Sequence, residues 1–455
     1  MSGTAGSCSC AVLLACLGSA LTLGVAAASP VAVRAPSFAG QRKYHTVESA
    51  DSVAAADLNH DRKPDLATAD GYANTVSVLL NRGHGGFAPS RAFGTGDGPE
   101  SVAAADLNGD GSPDLAVATD DNGVSVLVNR GDGGFRPRRD YPTACCPFSV
   151  AAGDLNGDGQ QDLVSANSAS KTVSVLLNAG EGRFLAKVDY PTGGRTVSVA
   201  IGDLNGDRRP DLATANSDAN SVSVFLGNGD GSFQPRSDLS TGRYPNAVAI
   251  GDLNGDGKAD LVAANLHANT VSVLRNKGEA TFNARREYRT DRAPRSLAIG
   301  DVNGDGRPEL VTANYLGHAA GGYLGHTVSV LANGGNGSFR LRREYRTGFG
   351  TSSVVIADFN ADRKPDLAAT AEEDLGGGLS VLLNATGRCG VPGLKGMPLL
   401  AAKRAIVSGG CRLGSIRRAY SKTVKRGRVI LQTPQSGTLL RKGSKISLVI
   451  SRGRR

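Results

Sequence analysis

The pattern Asp-x-Asn-x-Asp opens seven times along this chain, at Asp57, Asp106, Asp154, Asp203, Asp252, Asp301 and Asp358, in steps of 49, 48, 49, 49, 49 and 57 residues. Self-similarity at a fixed period dictates a repeat architecture before any other feature is weighed. Each unit carries the same four apolar pieces. In the third they are "SVAAGDL" (149–155), "DLVSAN" (162–167), "TVSVLLN" (172–178) and "RFLAKVDYP" (183–191). Short runs rich in Val and Leu, bounded by Gly, Asn and Asp, read as strands. Four short strands per unit describe one blade of a β-propeller, so seven units predict seven blades. The 61 glycines and the absence of Trp point the same way, to turns and a core of small aliphatics.

The phase of the repeat predicts how the ring closes. The seventh unit has three strands, ending at "LSVLLN" (379–384), and no fourth. The missing type, a Phe followed by a Tyr, occurs ahead of the first loop as "SFAGQRKY" (37–44). An N-terminal strand that completes the last blade removes the open edge that a linear array would leave exposed. The expectation is an all-β, closed seven-bladed propeller over residues 30–388.

The loops carry oxygen ligands at positions 1, 3, 5 and 9. These are Asp57, Asn59, Asp61 and Asp65 in blade one, and Asp106, Asn108, Asp110 and Asp114 in blade two. Blade three has Asp154, Asn156, Asp158 and Asp162, blade four Asp203, Asn205, Asp207 and Asp211, and blade five Asp252, Asn254, Asp256 and Asp260. Blade six has Asp301, Asn303, Asp305 and Glu309, and blade seven Asp358, Asn360, Asp362 and Asp366. Calcium takes six to eight hard oxygens, which these side chains, the position-7 carbonyl and water would supply. An EF-hand needs a bidentate Glu at position 12, where this chain has Ala, Val, Ser or Thr, and strands rather than helices flank the loop.

A polar turn alone does not explain the pattern. Three carboxylates per loop, half of the chain's 42 acidic residues, repel one another unless a cation compensates them. Up to seven structural Ca2+ ions are therefore expected. Position 6 is Gly111, Gly159, Gly257 and Gly306 in four loops, where the sharp turn calls for positive φ, but Arg62, Arg208 and Arg363 in the others. Weaker calcium binding is expected in blades one, four and seven.

The nine-residue loop, the "DLNGDGxxDL" consensus and the "NxGxGxF" turn, as in "NGDGSF" (228–233), resemble the FG-GAP or VCBS-type repeat of extracellular propellers such as integrin α-subunit heads and some lectins. The resemblance covers roughly residues 37–388. It implies that the loops join the first two strands of each blade on one face and bind calcium structurally. It also implies that ligands meet the opposite face, formed by the loops between strands 2 and 3 and between strands 4 and 1.

The segment 389–453, from "CGVPGLKGMPLLAAKRAI" to "GRVILQTPQSGTLLRKGSKISLVIS", is similar to a PASTA domain, a small α+β module, with 454–455 as a basic end. The first of these stretches is expected to supply the helix and the second the strands. Such domains are associated with peptidoglycan and muropeptides of the bacterial cell wall. Cys389 and Cys411 bracket the expected helix and are expected to pair.

Residues 1–29 carry no charged side chain, and "AVLLACLGSALTLGVAAA" (11–28) resembles a secretory signal peptide, though without a basic start. A lipoprotein reading through Cys16 and an uncleaved anchor are the alternatives, and no later segment is apolar enough to span a membrane. Removal of this stretch leaves Cys145, Cys146, Cys389 and Cys411, an even number suited to an oxidising compartment. From Cys389 onward there are 16 Lys or Arg and no acid, so the net +9 leaves 9 − 16 = −7 for the rest. A basic tail on an exported chain suits anionic wall polymers or lipid headgroups better than nucleic acid.

A ligand site should lie where the blades differ. The long final step comes from a tandem duplication, "YLGHAAGG" (315–322) followed by "YLGH" (323–326). It adds Tyr315, His318, Tyr323 and His326 to the presumed ligand face, groups suited to sugar stacking, hydrogen bonding or a transition metal, or else a neutral loop expansion. Cys145 and Cys146 belong to the same face, as a vicinal disulfide, as thiols, or linked to another chain. No nucleophile elbow, phosphate loop or acid–base pair stands out beyond the calcium loops. The expectation is a secreted or wall-associated binder of an extracellular glycan or protein. The alternatives are a hydrolase or lyase acting on polysaccharide and an assembly scaffold without a small ligand.

Overall fold

The computed structural model describes residues 36–121, 123–315, 326–373, 376–386, 388–441 and 443–454. The signal-peptide reading of residues 1–29 and the residues His318 and Tyr323 lie outside them. Among the described residues, seven antiparallel four-stranded sheets follow one another, and no helix is long and apolar enough to cross a membrane.

Blade three shows the plan: Pro147–Gly153, Asp162–Asn167, Thr172–Leu176 and Val188–Pro191 pair in chain order. The second strand is buried along its whole length, because it lies between neighbouring sheets as well as between strands. Two boundaries differ from the sequence reading. The first strand ends at Gly153, before Asp154 opens the loop. The fourth begins only at Val188, because Phe184 is held in the preceding turn by a bridge to Asn178.

The seventh sheet has the order Arg42–His45, Gly376–Leu382, Asp366–Glu373, Val354–Ala357. The N-terminal strand thus closes the ring, pairing Arg42 with Val381 and Tyr44 with Leu379, and Phe38 bridges to Asn384. The few aromatics are spent at the blade junctions. The turn Phe of one blade meets the fourth-strand Tyr or Phe of the preceding blade edge-on: Phe93–Phe135, Tyr141–Phe184, Tyr190–Phe233 and Tyr288–Phe339, with centroids 5.1, 5.1, 5.5 and 5.3 Å apart. The closing arm supplies both halves of this device, Phe38 against Tyr345 (4.9 Å) and Tyr44 against Phe87 (5.2 Å). Each such pair contributes about 0.5–1.5 kcal/mol beyond its buried area.

The innermost strands of neighbouring blades adjoin one another around the axis. Serine hydroxyls tie them: Ser52 accepts from Val102 N–H, Ser101 from Val150, Ser149 from Val199, Ser198 from Val248 and, across the closure, Ser353 from Val53, at 3.2–3.4 Å.

The C-terminal module packs the helix Leu399–Ser408 on a sheet ordered Arg412–Ala419, Lys445–Ser451, Val429–Thr433. Val391, Leu394, Ala402, Ile406, Val429, Ile446, Leu448 and Ile450 form its core, and Cys389 and Cys411 form a disulfide with Cα atoms 4.7 Å apart. The helix is shorter than "VPGLKGMPLLAAKRAI" implied. Pro392, Gly396 at φ 81° and Pro398 at the N-cap keep the first half out of it. The strand Arg412–Ala419 was not anticipated: it is an edge strand whose side chains are nearly all exposed, so it shows no alternation to read.

Candidate functional site

In every loop the carboxylates at positions 1 and 5 accept backbone N–H groups, and in the first five the position-3 Asn does so too. In loop three, Asp154 accepts from Gly157, Asp158 and Gly159 (2.7, 3.2 and 2.9 Å). Asn156 Oδ1 accepts from Asp158 N–H (3.0 Å), while its Nδ2 donates to Asp158 Oδ2 (3.0 Å). The winding needs left-handed backbone at position 6, where the four glycines have φ 79–85° and Arg62, Arg208 and Arg363 have φ 64°, 68° and 63°. Position 4 needs it as well: five glycines there are joined by His60 and Ala361, both at φ 59°. Five "NGDG" or "NGDR" runs carry this position-4 signal in the sequence, beside the position-6 glycines.

The position-9 acid has a different job from the other three. All seven are fully buried. In blade two, Leu107 N–H donates to one oxygen of Asp114 (3.1 Å) and Asn129 N–H to the other (2.7 Å). In blade three Leu155 and Asn178 do the same to Asp162 (2.8 and 2.7 Å). The carboxylate therefore braces the start of the loop to the end of the third strand. Burial pushes Asp65 and Asp114 up to about 6, Asp366 to about 7 and Glu309 to about 8, with the loop's other carboxylates pushing the same way.

A second element, not legible in the loop spacing, is the Asn at or just past the end of the third strand in six of the seven blades. Its Nδ2 donates to the position-2 carbonyl of the preceding blade: Asn129 to Leu58 (2.9 Å), Asn178 to Leu107 (2.8 Å), Asn276 to Leu204 (2.7 Å) and Asn384 to Val302 (2.7 Å). Blade four has Gly227 instead, and the turn's Gly231 N–H reaches Leu155 O (3.2 Å).

The fit to a hard cation rests on the donor set. Positions 1, 3 and 5 offer carboxylate and amide oxygens as their acceptors, and in loop six Asn303 Oδ1 is a buried acceptor with no donor among the described residues. Position 9 stands behind the loop with its oxygens engaged, and among the described residues no three His, Cys, Asp or Glu side chains converge on one point.

The opposite face has no such uniformity. The second residues of the inner strands of blades one to six are Asp51, Glu100, Phe148, Val197, Asn246 and Arg295, and Ser352, just ahead of the strand Val354–Ala357, takes the equivalent place in blade seven. Arg295 extends from blade six to Asp51 of blade one (3.7 Å) and Glu100 of blade two (3.9 Å). Its guanidinium lies 5.3 Å from the ring centre of Tyr315 and 5.9 Å from that of Phe148 in blade three. Asn246 Nδ2 donates to Arg295 O (2.9 Å) and fixes the base of that strand. Burial pushes Glu100 up to about 7, the Asp51 charge adding to it and Arg295 opposing.

Of the duplicated loop, Tyr315 ends a strand and His326 pairs with it through the backbone. Cys145 and Cys146 lie in the loop entering blade three, not disulfide-bonded, with their sulfurs 2.6 Å apart. The hydrogen bond with Cys145 and burial push the Cys146 thiol up to about 11.

Comparison with known proteins follows this architecture. The FG-GAP-like repeat family matches residues 57–117, 106–165, 154–214, 203–263 and 252–312, and the PASTA domain family matches 390–452. A probable serine/threonine-protein kinase of Clostridium acetobutylicum is 46% identical over 63 residues, which is 14% of this chain and 10% of the kinase. The chain therefore spans a small fraction of that relative's length. In fold, it is similar to a chain in the crystal structure of BBS1N in complex with ARL6DN soaked with mercury (TM-score 0.55, 14% identity, covering 77% of this chain and 98% of that one). It is also similar to the WD40 beta propeller domain of Doa1 (TM-score 0.53, 12% identity, 76% and 97%). Seven blades, their braced acidic loops and the two family matches together place this chain among the FG-GAP-like repeat proteins, as a propeller carrying a C-terminal PASTA domain.

Proposed function

We propose that this is an exported, wall-held binding protein, in which calcium fastens the propeller and the PASTA domain anchors it to peptidoglycan or another anionic wall polymer. The observation that carries the anchoring is the tail's charge: 16 basic residues, no acid, and no ion pair among its described residues. Such a surface attracts a polyanion in a salt-dependent way. The disulfide between Cys389 and Cys411 fits an oxidising, extracytoplasmic setting.

In the loops, positions 1, 3 and 5 would hold calcium, whose charge offsets carboxylates that otherwise repel one another. Ligand binding then falls to the face opposite the loops, where the blades differ, and its object is an extracellular glycan or protein.

The test compares the full chain with one ending before Cys389 in sedimentation with purified peptidoglycan sacculi. The full chain is expected to sediment at low salt and to be released as salt rises, while the shortened chain stays in solution. Equal sedimentation of the two would remove the anchoring role.

A further inference from the structure

We infer that the mouth of the central channel, on the face opposite the acidic loops, is a binding site for the terminal sugar of a glycan, with Arg295, Glu100 and Asp51 as its hydrogen-bonding groups. The inference rests on the proposal that this face carries the ligand, and makes it specific.

Position supports it first. The inner strands adjoin around the axis, so the residues at their starts ring the mouth. A side chain from blade six that meets blades one, two and three has to cross that mouth. Arg295 therefore stands in the axial recess, walled by blades on every side, and a ligand reaches it end-on.

Unfilled bonding capacity is the second support. The Arg295 guanidinium has five N–H donors, and its carboxylate neighbours at 3.7 and 3.9 Å lie beyond hydrogen-bond range. Among the described residues neither the guanidinium nor the Glu100 carboxylate makes a hydrogen bond, although the side chains of Arg295, Asp51 and Glu100 are only 22–23% exposed. Half-buried charged groups normally find such partners. At these separations a hydroxyl placed beside the pair can hydrogen-bond to the guanidinium and to a carboxylate together.

The chemistry of the ring selects the ligand class. An anion would meet two carboxylates, and a cation would meet Arg295. A neutral polyol offers adjacent hydroxyls that accept from the guanidinium and donate to Glu100 and Asp51, and the C–H faces of a pyranose suit the Phe148 and Tyr315 rings that flank the arginine.

The experiment uses the full chain with calcium on an array of immobilised oligosaccharides that share internal units and differ in their terminal sugar, followed by titration of the retained ones. Binding is expected to follow the terminal sugar. Glu100→Gln and Arg295→Gln are each expected to weaken it about tenfold or more, the effect of losing one hydrogen bond to a charged group. Arg289→Gln, at the outer edge between blades five and six, should leave it unchanged. If Arg295→Gln does not fold, the near-isosteric Glu100→Gln carries the same test. Undiminished binding by both mouth variants, or binding indifferent to the terminal sugar, would overturn the axial site while leaving glycan binding by the propeller intact. No retention of any glycan by the unaltered protein would overturn both the site and a glycan as the ligand.

Discussion

On one face of the propeller every blade makes the same bonds. Asp114, Asp162 and their equivalents are sealed in and accept backbone N–H groups at both oxygens. On the other, Asp51, Glu100, Phe148, Asn246 and Arg295 stand at equivalent positions with nothing in common, and Arg295 lies 3.7 and 3.9 Å from the Asp51 and Glu100 carboxylates. Seven identical, fully satisfied sites stabilise a ring. Five dissimilar side chains do not repeat a structural bond, and they are the pattern on which the proposed site rests. The difference separates what holds the molecule together from what it offers to other molecules.

The largest effect should come from the loop face. Asp114→Ala leaves the buried Leu107 and Asn129 N–H groups without an acceptor and is expected to cost about 3–5 kcal/mol, read from the urea unfolding midpoint. A loss below about 1 kcal/mol would mean that the brace is dispensable. Next, Asn178→Ala cuts the tie from blade three to Leu107 of blade two, with an expected cost of about 1–3 kcal/mol in the same assay.

Smaller again is a pH effect at the mouth. Glu100 is pushed from its ordinary 4.5 to about 7, so between those values the folded chain holds a proton that the unfolded chain has released. Its contribution to stability is therefore greatest below about pH 4.5 and falls as pH rises towards 7. Melting curves at pH 5 and pH 8 should show Glu100→Gln gaining on the unaltered protein at the higher pH, by on the order of 1–2 kcal/mol. Parallel curves at both pH values would count against a strained carboxylate there.

The smallest effect concerns the unequal loops. Arg62→Gly, Arg208→Gly and Arg363→Gly relieve left-handed arginines and should each stabilise the chain by roughly 1 kcal/mol or less. They should also tighten calcium binding at the altered loop, measured by calorimetric titration. Chelation should lower the melting temperature of all variants, and a chelator-insensitive transition would remove calcium from the account.

Much of this was legible because it is local and repeated. The Phe38 and Tyr44 spacing in the N-terminal arm announced a missing fourth strand, and those two rings do pack against Tyr345 and Phe87 at the closure. The loop offsets were legible for the same reason, but not the division of labour within them. Nothing in one dimension distinguishes an acid that faces the loop from one that braces it. The edge strand Arg412–Ala419 was hidden by its exposure on both sides.

The amino-acid sequence by itself determined the number of blades, the strand that closes the ring and the place of the acidic loops, since each follows from hydrophobic period and turn chemistry within fifty residues. Only the tertiary structure decided that Asp51, Glu100 and Arg295 meet, because residues from blades one, two and six become neighbours through the curvature of the closed ring. That curvature is set by how seven sheets pack on one another, and no single repeat contains it.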